Sequence, residues 1–372
     1  HNLRQLGLTY LIYPSANHTR FEHSLGVSHL AKILATSLQK NQPELAITDN
    51  EIELIQISGL IHDIGHGPFS HLYDYEFSPG CHHEKRGQVL FCEMVSKYKL
   101  SFTQNEINFI IDCIDPPKEL ESNFKYQIVS NKICSIDVDK IDYIQRDNYH
   151  LGFGLNEKYL RLIHDCRVVQ FNGSLVLGWP NKLEDEVLSL FASRYRLHKK
   201  VYNHHTVKSA EFSLKNILTK ILEYEVPWNS LTDNIISMPI NEEVINMKEE
   251  FDKREFPKLL HEDVFYEESM GNMGAIIEKS YKQFVEKMRI KKCKLYFQKI
   301  KIGFGFKNVL KNVVYFRGTD YTGYNVEKYN TFMAPSTTSE IIFRIYVEKP
   351  YLEVCKYEFE NILEDNIKWK EY

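Results

Sequence analysis

Apolar positions in the first 225 residues recur at helical spacing. Leu25, Leu30, Ile33, Leu34 and Leu38 line one face of a segment from about 22 to 40. A second set, Ile52, Leu54, Ile55, Ile57, Leu60, Ile61 and Ile64, predicts a helix from about 49 to 65. Thr48, Asp49 or Asn50 can cap its start, and Glu51 and Glu53 sit where the helix dipole favours anions. Gly65, Gly67 and Pro68 end it. The same pattern predicts helices over 83–98, 104–114, 128–148, 157–165, 182–202 and 207–224. VVQFNGSLVLGW (168–179) differs: two β-rich runs flank Asn172-Gly173, a hairpin turn. Beyond EVPWNS (225–230) the period changes. KLYFQKIKIGFGF (294–306), NVVYFRG (312–318) and EIIFRIYVE (340–348) alternate as strands do, and 351–366 reads as a helix. The expectation is a mainly α chain, with a helical catalytic part over 1–225 and a smaller α+β lobe over 226–372.

Composition adds limits. The 372 residues, 43% hydrophobic and 26% charged, suit a globular protein with one large or two smaller cores. A net charge of -4 excludes a bulk polyanion binder and leaves room only for local basic clusters. Seven cysteines without a C-x-x-C pair read as free thiols in a reducing, intracellular compartment, nucleus and cytoplasm being equally open. There is no signal peptide, membrane-length apolar run or lipidation motif. The chain opens on His1-Asn2 without Met, so further sequence upstream is expected.

Candidate chemistry concentrates in GLIHDIGHGPFSH (59–71), where His62-Asp63 ends an apolar helix and His66 and His71 follow the Gly-Pro break. Adjacent residues on a helix point about 100° apart, so both can face one ion only if other helices complete the set. His23 in RFEHSLGV (20–27) and Asp139 in IDVDKIDYIQRD (136–147) are placed to do so. Two imidazoles and two carboxylates suit a divalent Fe, Mn, Zn, Co or Mg ion without selecting one.

The H…HD…D layout resembles that of the HD-domain phosphohydrolases. NHTRFEHSLGVSHLAK, GLIHDIGHGPFSHLYDYEF, HEKRGQ, IVSNKICSIDVDKIDYIQRDNYHLG and SRYRLHKKVYNHHTV resemble one branch, the eukaryotic SAM-and-HD-domain deoxynucleoside triphosphate triphosphohydrolases. LTDNI (231–235) and EIIFRIYVEKP are also similar, and no SAM domain is read in these residues. The resemblance implies a helical HD-domain fold and metal-dependent hydrolysis of a dNTP to a deoxynucleoside and inorganic triphosphate. It implies His23, His62, Asp63 and Asp139 as metal ligands and His71 as the acid that protonates the 5′-oxygen. His66 and His83 would flank the α-phosphate, with Asp74 orienting one of them; the adjacent His82 is the alternative to His83. HEKRGQ carries one residue more than the family spacing. Arg20, Lys140 and Arg194 match phosphate-binding positions. Tyr143 would pack on the sugar and exclude a 2′-hydroxyl, Asp147 and Gln5 would take the 3′-hydroxyl, and His198 and Tyr202 would lie near substrate and base. Asn203 stands where the family has Gln.

The resemblance also implies a homo-oligomer, dimer to tetramer, with GTP and dNTP activators between subunits. Arg161 and Lys182 match activator contacts, as do Arg254 and Lys258 in KREFPK. Pro180, Glu186 and His205 replace a family Arg, Asn and Lys, and Glu186 would repel a triphosphate, so weaker activator dependence is expected. RIKKCKLYFQKIKIGFGFK (289–307) is basic with interleaved aromatics; a strand with a solvated Lys side is favoured over a nucleic-acid site. Two other functions stand against dNTP hydrolysis: an HD phosphohydrolase for a nucleoside monophosphate or an alarmone, and a nucleic-acid-binding HD protein.

Overall fold

The computed structural model describes all residues except 155–158, 225, 239, 267–270, 291–292, 304–308, 327–338 and 369–372. The chain forms two compact units. The first comprises His1–Leu197, Pro227–Asn234 and the described part of 304–334; the second comprises His198–Val226, 235–303 and the described part of 335–372.

In the first unit, α1 (Arg20–Asn41) packs along α2 (Asp49–Ile61) and against α6 (Val138–Leu151). Its inner face carries Val27, Leu30, Ala31, Leu34 and Leu38, all buried. The Thr48 side chain takes the Glu51 N–H and Glu51 returns to the Thr48 N–H, a capping box that fixes where α2 begins. Thr103 and Glu106 do the same for α5 (Gln104–Ile114). Leu54 and Ile61 of α2 close a core with Ile110 and Ile114 of α5 and Phe91 of α4 (His83–Tyr98). Between α2 and α4 the short α3 (His71–Glu76) follows the Gly-Pro break. After α7 (Leu160–His164), β1 (Arg167–Phe171) and β2 (Ser174–Pro180) form the expected hairpin, with Asn172 and Gly173 at φ 48° and 82°. β5 (Val314–Phe316) adds parallel to β2, and β6 (Tyr324–Asn325) antiparallel to β5. α8 (Glu184–Leu197) ends the first long stretch of this unit.

The second unit starts with a π-helical turn at His198–Tyr202, so the helix expected over 182–202 changes its winding there. α9 (His205–Leu222) and α10 (Glu242–Asp252) follow. β3 (Lys258–Tyr266), β7 (Ser339–Val347) and β4 (Leu295–Gly303) make an antiparallel sheet with β7 central. α11 (Gly271–Ile290) and α12 (Leu352–Lys368) cover one face, where Phe284, Met288 and Phe359 pack on Phe343 and Ile345. On β4, Phe297, Lys299 and Lys301 are exposed, matching the expected strand with a solvated side; residues 291–292 and 304–307 of that basic run and 157–158 of an expected helix lie outside the described residues. No described helix is long and apolar enough to cross a membrane.

Two expected helices are shorter than the pattern suggested: α2 stops at Ile61, which leaves His62–Gly65 in the turn after it, and α6 starts only at Val138. Residues 128–137 are not part of α6: Asn131 Oδ1 takes the N–H groups of Ile133 and Cys134, and Asp137 takes those of Asn131 and Lys140. Side chains that satisfy backbone donors locally compete with a helix ladder. Asp137 therefore caps α6 and places Asp139 in its first turn.

Candidate metal and histidine site

Four of the expected residues converge in the first unit. His23 Nε2 lies 3.2 Å from His62 Nε2 and 3.1 Å from Asp139 Oδ1. His62 Nε2 is 3.5 Å from Asp139 Oδ1 and 3.4 Å from Asp63 Oδ1. Ligands sharing one ion at bonds of about 2.1 Å stand roughly 3.0–3.4 Å apart. The donors of His23, His62 and Asp63 all lie within 4.8 Å of one another, with His23 Nε2 3.8 Å from Asp63 Oδ2, and Asp139 borders this group through the two imidazoles. The ring tautomers support the same point. His62 Nδ1 donates to the Gly59 carbonyl at 2.8 Å, and His23 Nδ1 donates to Asp142 Oδ2 at 2.8 Å. Both Nδ1 atoms thus hold their hydrogen, and two bare Nε2 lone pairs face each other unless a cation lies between them. Burial works against a charged His23, but the bonds from Asp139 and Asp142 outweigh it and raise its pKa to about 10.

Asp142 reaches His23 because Gly26 leaves it room: a Cβ there would stand 1.9 Å from Asp142 Oδ1. Arg146 holds the same carboxylate with two bonds of 2.9 Å. Burial raises the Asp63 pKa, yet His62, Arg20 and His66 hold it well below the usual carboxylate range.

A second cluster adjoins the first. Asp74 Oδ2 faces His83 Nδ1 at 3.2 Å, His66 Nδ1 at 3.5 Å and His71 Nδ1 at 3.8 Å. His82 is exposed and caps nothing, so His83 is the ring that meets Asp74. The rings of His66 and His83 stack with centroids 3.7 Å apart and 18° between planes. The four side chains of this cluster also offer donor atoms within 4.8 Å of one another, but imidazoles stacked in near-parallel planes are poorly aimed at one shared ion. The cluster suits proton handling instead. Burial and the Arg20 charge hold His66 well below its ordinary pKa, so it is neutral. His71 is open to solvent, with 61% of its side chain exposed against 2% for His66.

Arg86, which the sequence reading passed over, anchors this cluster. It is buried, pairs with Asp74 and donates to the Gly65 carbonyl at 2.9 Å and Ser78 Oγ at 2.9 Å. Burial pushes Asp74 up, but the nearby His71 ring and the hydrogen bonds from His83 and Arg86 hold it far below the carboxylate range. Gly65 permits the approach: a Cβ would meet the His83 carbonyl at 2.0 Å. Phe69 and Ser70 follow at φ 57° and 59°, a strained pair costing about 1–3 kcal/mol each that its surroundings must enforce.

The remaining expected residues fall as follows. Arg20 pairs with Asp63 and donates from Nε to Ser70 Oγ at 3.2 Å. Lys140 Nζ meets Asp137 at 2.7 Å; burial lowers its pKa, but Asp137 and Asp139 raise it further. Burial raises the Tyr143 pKa against the opposing charge of Arg194, which hydrogen-bonds it; the Tyr143 ring lies 6.4 Å from that of His23. Asp147 Oδ1 faces His18 Nε2 at 2.7 Å, both buried, a partner not read from sequence. Gln5 Oε1 is buried and makes no hydrogen bond among the described residues. Arg161 pairs with Glu186, and Lys182 meets Asp165 at 3.1 Å. His198 and Tyr202, rings 4.9 Å apart, lie on the π turn of the second unit. The same unit holds Arg254, exposed at φ 59° in the turn after α10, and Lys258 at the start of β3.

His23 on α1, a His62-Asp63 pair in the turn that ends α2 and Asp139 on α6, gathered around one ion-sized gap, define an HD domain, and the HD-domain family model matches residues 20–147. An HD domain-containing protein of Acanthamoeba polyphaga mimivirus is 38% identical over 59% of this chain and 51% of its own length. The deoxynucleoside triphosphate triphosphohydrolase SAMHD1 of Gallus gallus is 29% identical over 93% of this chain and 67% of its own length. The Homo sapiens SAMHD1 is 37% identical over 54% and 37%. The chain thus spans between 37% and 67% of the length of these relatives. It carries an HD-domain match over residues 20–147 and is similar to SAM-and-HD-domain proteins over up to 93% of its length.

Proposed function

We propose that the chain hydrolyses deoxynucleoside triphosphates to deoxynucleoside and inorganic triphosphate. One observation carries the reading: an ion-sized gap between His23, His62, Asp63 and Asp139 adjoins a carboxylate-bound histidine cluster. When bound in that gap, a divalent ion supplies Lewis-acid polarisation of a phosphate oxygen and a lower pKa for the attacking water. The residues do the rest. Water adds to the α-phosphorus, the bond from phosphorus to the 5′-oxygen breaks, and its electron pair goes to that oxygen. His71 gives that oxygen its proton, while His83 and a neutral His66, both facing Asp74, border the α-phosphate. Arg20, Lys140 and Arg194 bind the triphosphate. Tyr143 fills the space a 2′-hydroxyl needs, and Asp147 with the unpaired Gln5 oxygen receives the 3′-hydroxyl. His198 and Tyr202 lie toward the substrate in this reading.

For regulation, the reading is a homo-oligomer whose 226–372 lobe serves assembly, with Arg254 and Lys258 for a guanine nucleotide. Arg161 and Lys182, the other matched activator contacts, are already neutralised by Glu186 and Asp165, which favours weak dependence on a dNTP activator. None of the seven cysteines forms a disulfide among the described residues, which favours a reducing compartment.

The test incubates metal-loaded protein with each dNTP and rNTP, with and without GTP, and resolves the products. Intact triphosphate from dNTPs alone supports the reading. Stepwise phosphate loss, or turnover of monophosphates only, refutes it.

A further inference from the structure

The LTDNI motif at 231–235 takes no part in the chemistry above. Its aspartate is nevertheless buried, 3% exposed, and both of its oxygens are committed. Asp233 Oδ1 accepts the Phe69 N–H at 2.7 Å, and Oδ2 accepts the Arg4 N–H at 2.8 Å. The Asp233 N–H donates to the Asn2 carbonyl at 3.2 Å. One carboxylate therefore joins segments 164 and 229 residues distant in sequence.

What it joins matters. Phe69 and Ser70 are the consecutive positive-φ residues of the turn that leads into α3. Ser70 Oγ takes the Arg20 Nε–H at 3.2 Å and lies 3.3 Å and 3.4 Å from the carbonyls of Arg4 and Gln5. His71 is the next residue and begins α3. From the other side of the cluster, the Trp228 ring stands 5.8 Å from the Arg86 guanidinium, which holds Asp74. The stretch Pro227–Asn234 thus reaches the histidine cluster at two points. In sequence it is flanked on both sides by chain that compacts into the second unit.

We infer that Asp233 is a positioning residue: it clamps the 67–70 turn so that Ser70 fixes Arg20 and His71 is presented at its place beside Asp74. The carboxylate suits this because two converging backbone donors need two acceptor oxygens on one rigid group, which Asn cannot offer. In Asp233→Asn one oxygen becomes an amide donor facing another donor. A positive-φ pair that loses its restraint relaxes toward ordinary backbone.

The experiment uses the metal-loaded full chain and two readouts. The first is amide hydrogen exchange, which does not depend on the proposed reaction. In D233N, exchange over 2–7 and 65–76 should rise by about tenfold or more, while the α1 and α2 peptides and the bound metal stay as in the parent. Unchanged exchange at 65–76 overturns the clamp. The second readout rests on the dNTP reading and on His71 as the acid. D233N should lower kcat by about 100-fold in the parent but by only about tenfold or less in a His71→Ala background, where the share acting through His71 is gone and only that through Arg20 remains. Equal losses in both backgrounds mean a merely structural carboxylate and overturn the positioning role. If the parent releases no triphosphate, the proposed function fails while the exchange result still decides the clamp. Trp228→Leu, at a half-buried surface position, covers the case in which D233N does not fold. It should raise exchange over 65–76 by about threefold through Arg86, and no rise there overturns the second point of contact.

Discussion

Metal binding to this chain should expel a proton, and the structure sets the size of the effect. His23 Nε2 faces the gap, and bonds from Asp139 and Asp142 overcome burial to raise its pKa to about 10. The sign follows directly. A raised histidine pKa means that the metal-free protein keeps the proton at neutral pH, whereas a metal ligand must offer a bare lone pair. Removing a proton from a group with pKa about 10 at pH 7 costs about 4 kcal/mol, three units at 1.36 kcal/mol each. Apparent affinity should therefore rise about tenfold per pH unit from pH 7 to 9, and flatten near pH 10. The same proton stabilises the metal-free fold fully below the unfolded value near 6.5, and that stability is lost as pH rises through about 10.

Isothermal titration with Mn²⁺ or Zn²⁺ in two buffers of different ionisation enthalpy counts the released protons. Chelator competition gives the affinity at each pH. Asp142→Asn weakens the bond that favours the imidazolium, so its slope should be shallower than the parent's. Uptake of metal with no proton release at pH 7–8, and an affinity flat between pH 7 and 9, would falsify the convergence of His23 on that ion.

Four shorter predictions rest on separate contacts. Gly26→Ala places a Cβ 1.9 Å from Asp142 Oδ1, so metal affinity should fall by about 10–100-fold; a chain that loads metal normally refutes the packing argument. Arg86→Ala leaves Asp74 buried without its cation and should cost about 3–5 kcal/mol in urea unfolding, against a loss under about 1 kcal/mol if Arg86 is incidental. Tyr143→Ala should narrow the dNTP-to-rNTP ratio of kcat/KM, and an unchanged ratio means that the ring does not face the sugar. Glu186→Gln frees an exposed Arg161 and should tighten binding of a fluorescent nucleoside triphosphate by about threefold with little change in Tm; unaltered binding removes Arg161 from the activator reading.

Much of the site could be read from sequence because its cues are local. Thr48 with Glu51 three residues on marks the start of α2, and the apolar set from Ile52 to Ile61 carries that helix to His62 and Asp63. Asn172-Gly173 marks the hairpin for the same reason, since its positive φ values need those residue types. Helix α11 and strand β3 were not read. The apolar positions Ile277, Tyr281, Phe284 and Met288 of α11 sit among Lys and Glu. The alternation of β3 is broken by a register shift between Leu259 and His261.

The parts that hold the site rigid leave a fainter mark, because their partners are distant in sequence. Asp142 follows Asp139 by three residues, so a shared helix face could have exposed it, but its target His23 lies 119 residues away. Arg86 reads as one basic residue in HEKRGQ until Gly65, Ser78 and Asp74 are seen around it. Asp63 explains why such supports are needed. Its Oδ1 stands 3.4 Å from both His62 Nε2 and His66 Nε2, so one carboxylate borders the ion-sized gap and the histidine cluster together. A shift of a few tenths of an ångström in that carboxylate changes the field at both, which acts on the neutral state of His66 as well as on the ligand set. Arg20 limits the shift by pairing with the other oxygen, and Arg20 in turn is held by Ser70 in the strained turn. Ligand identity therefore follows from local sequence, whereas ligand placement follows from a chain of supports that only the folded molecule brings together.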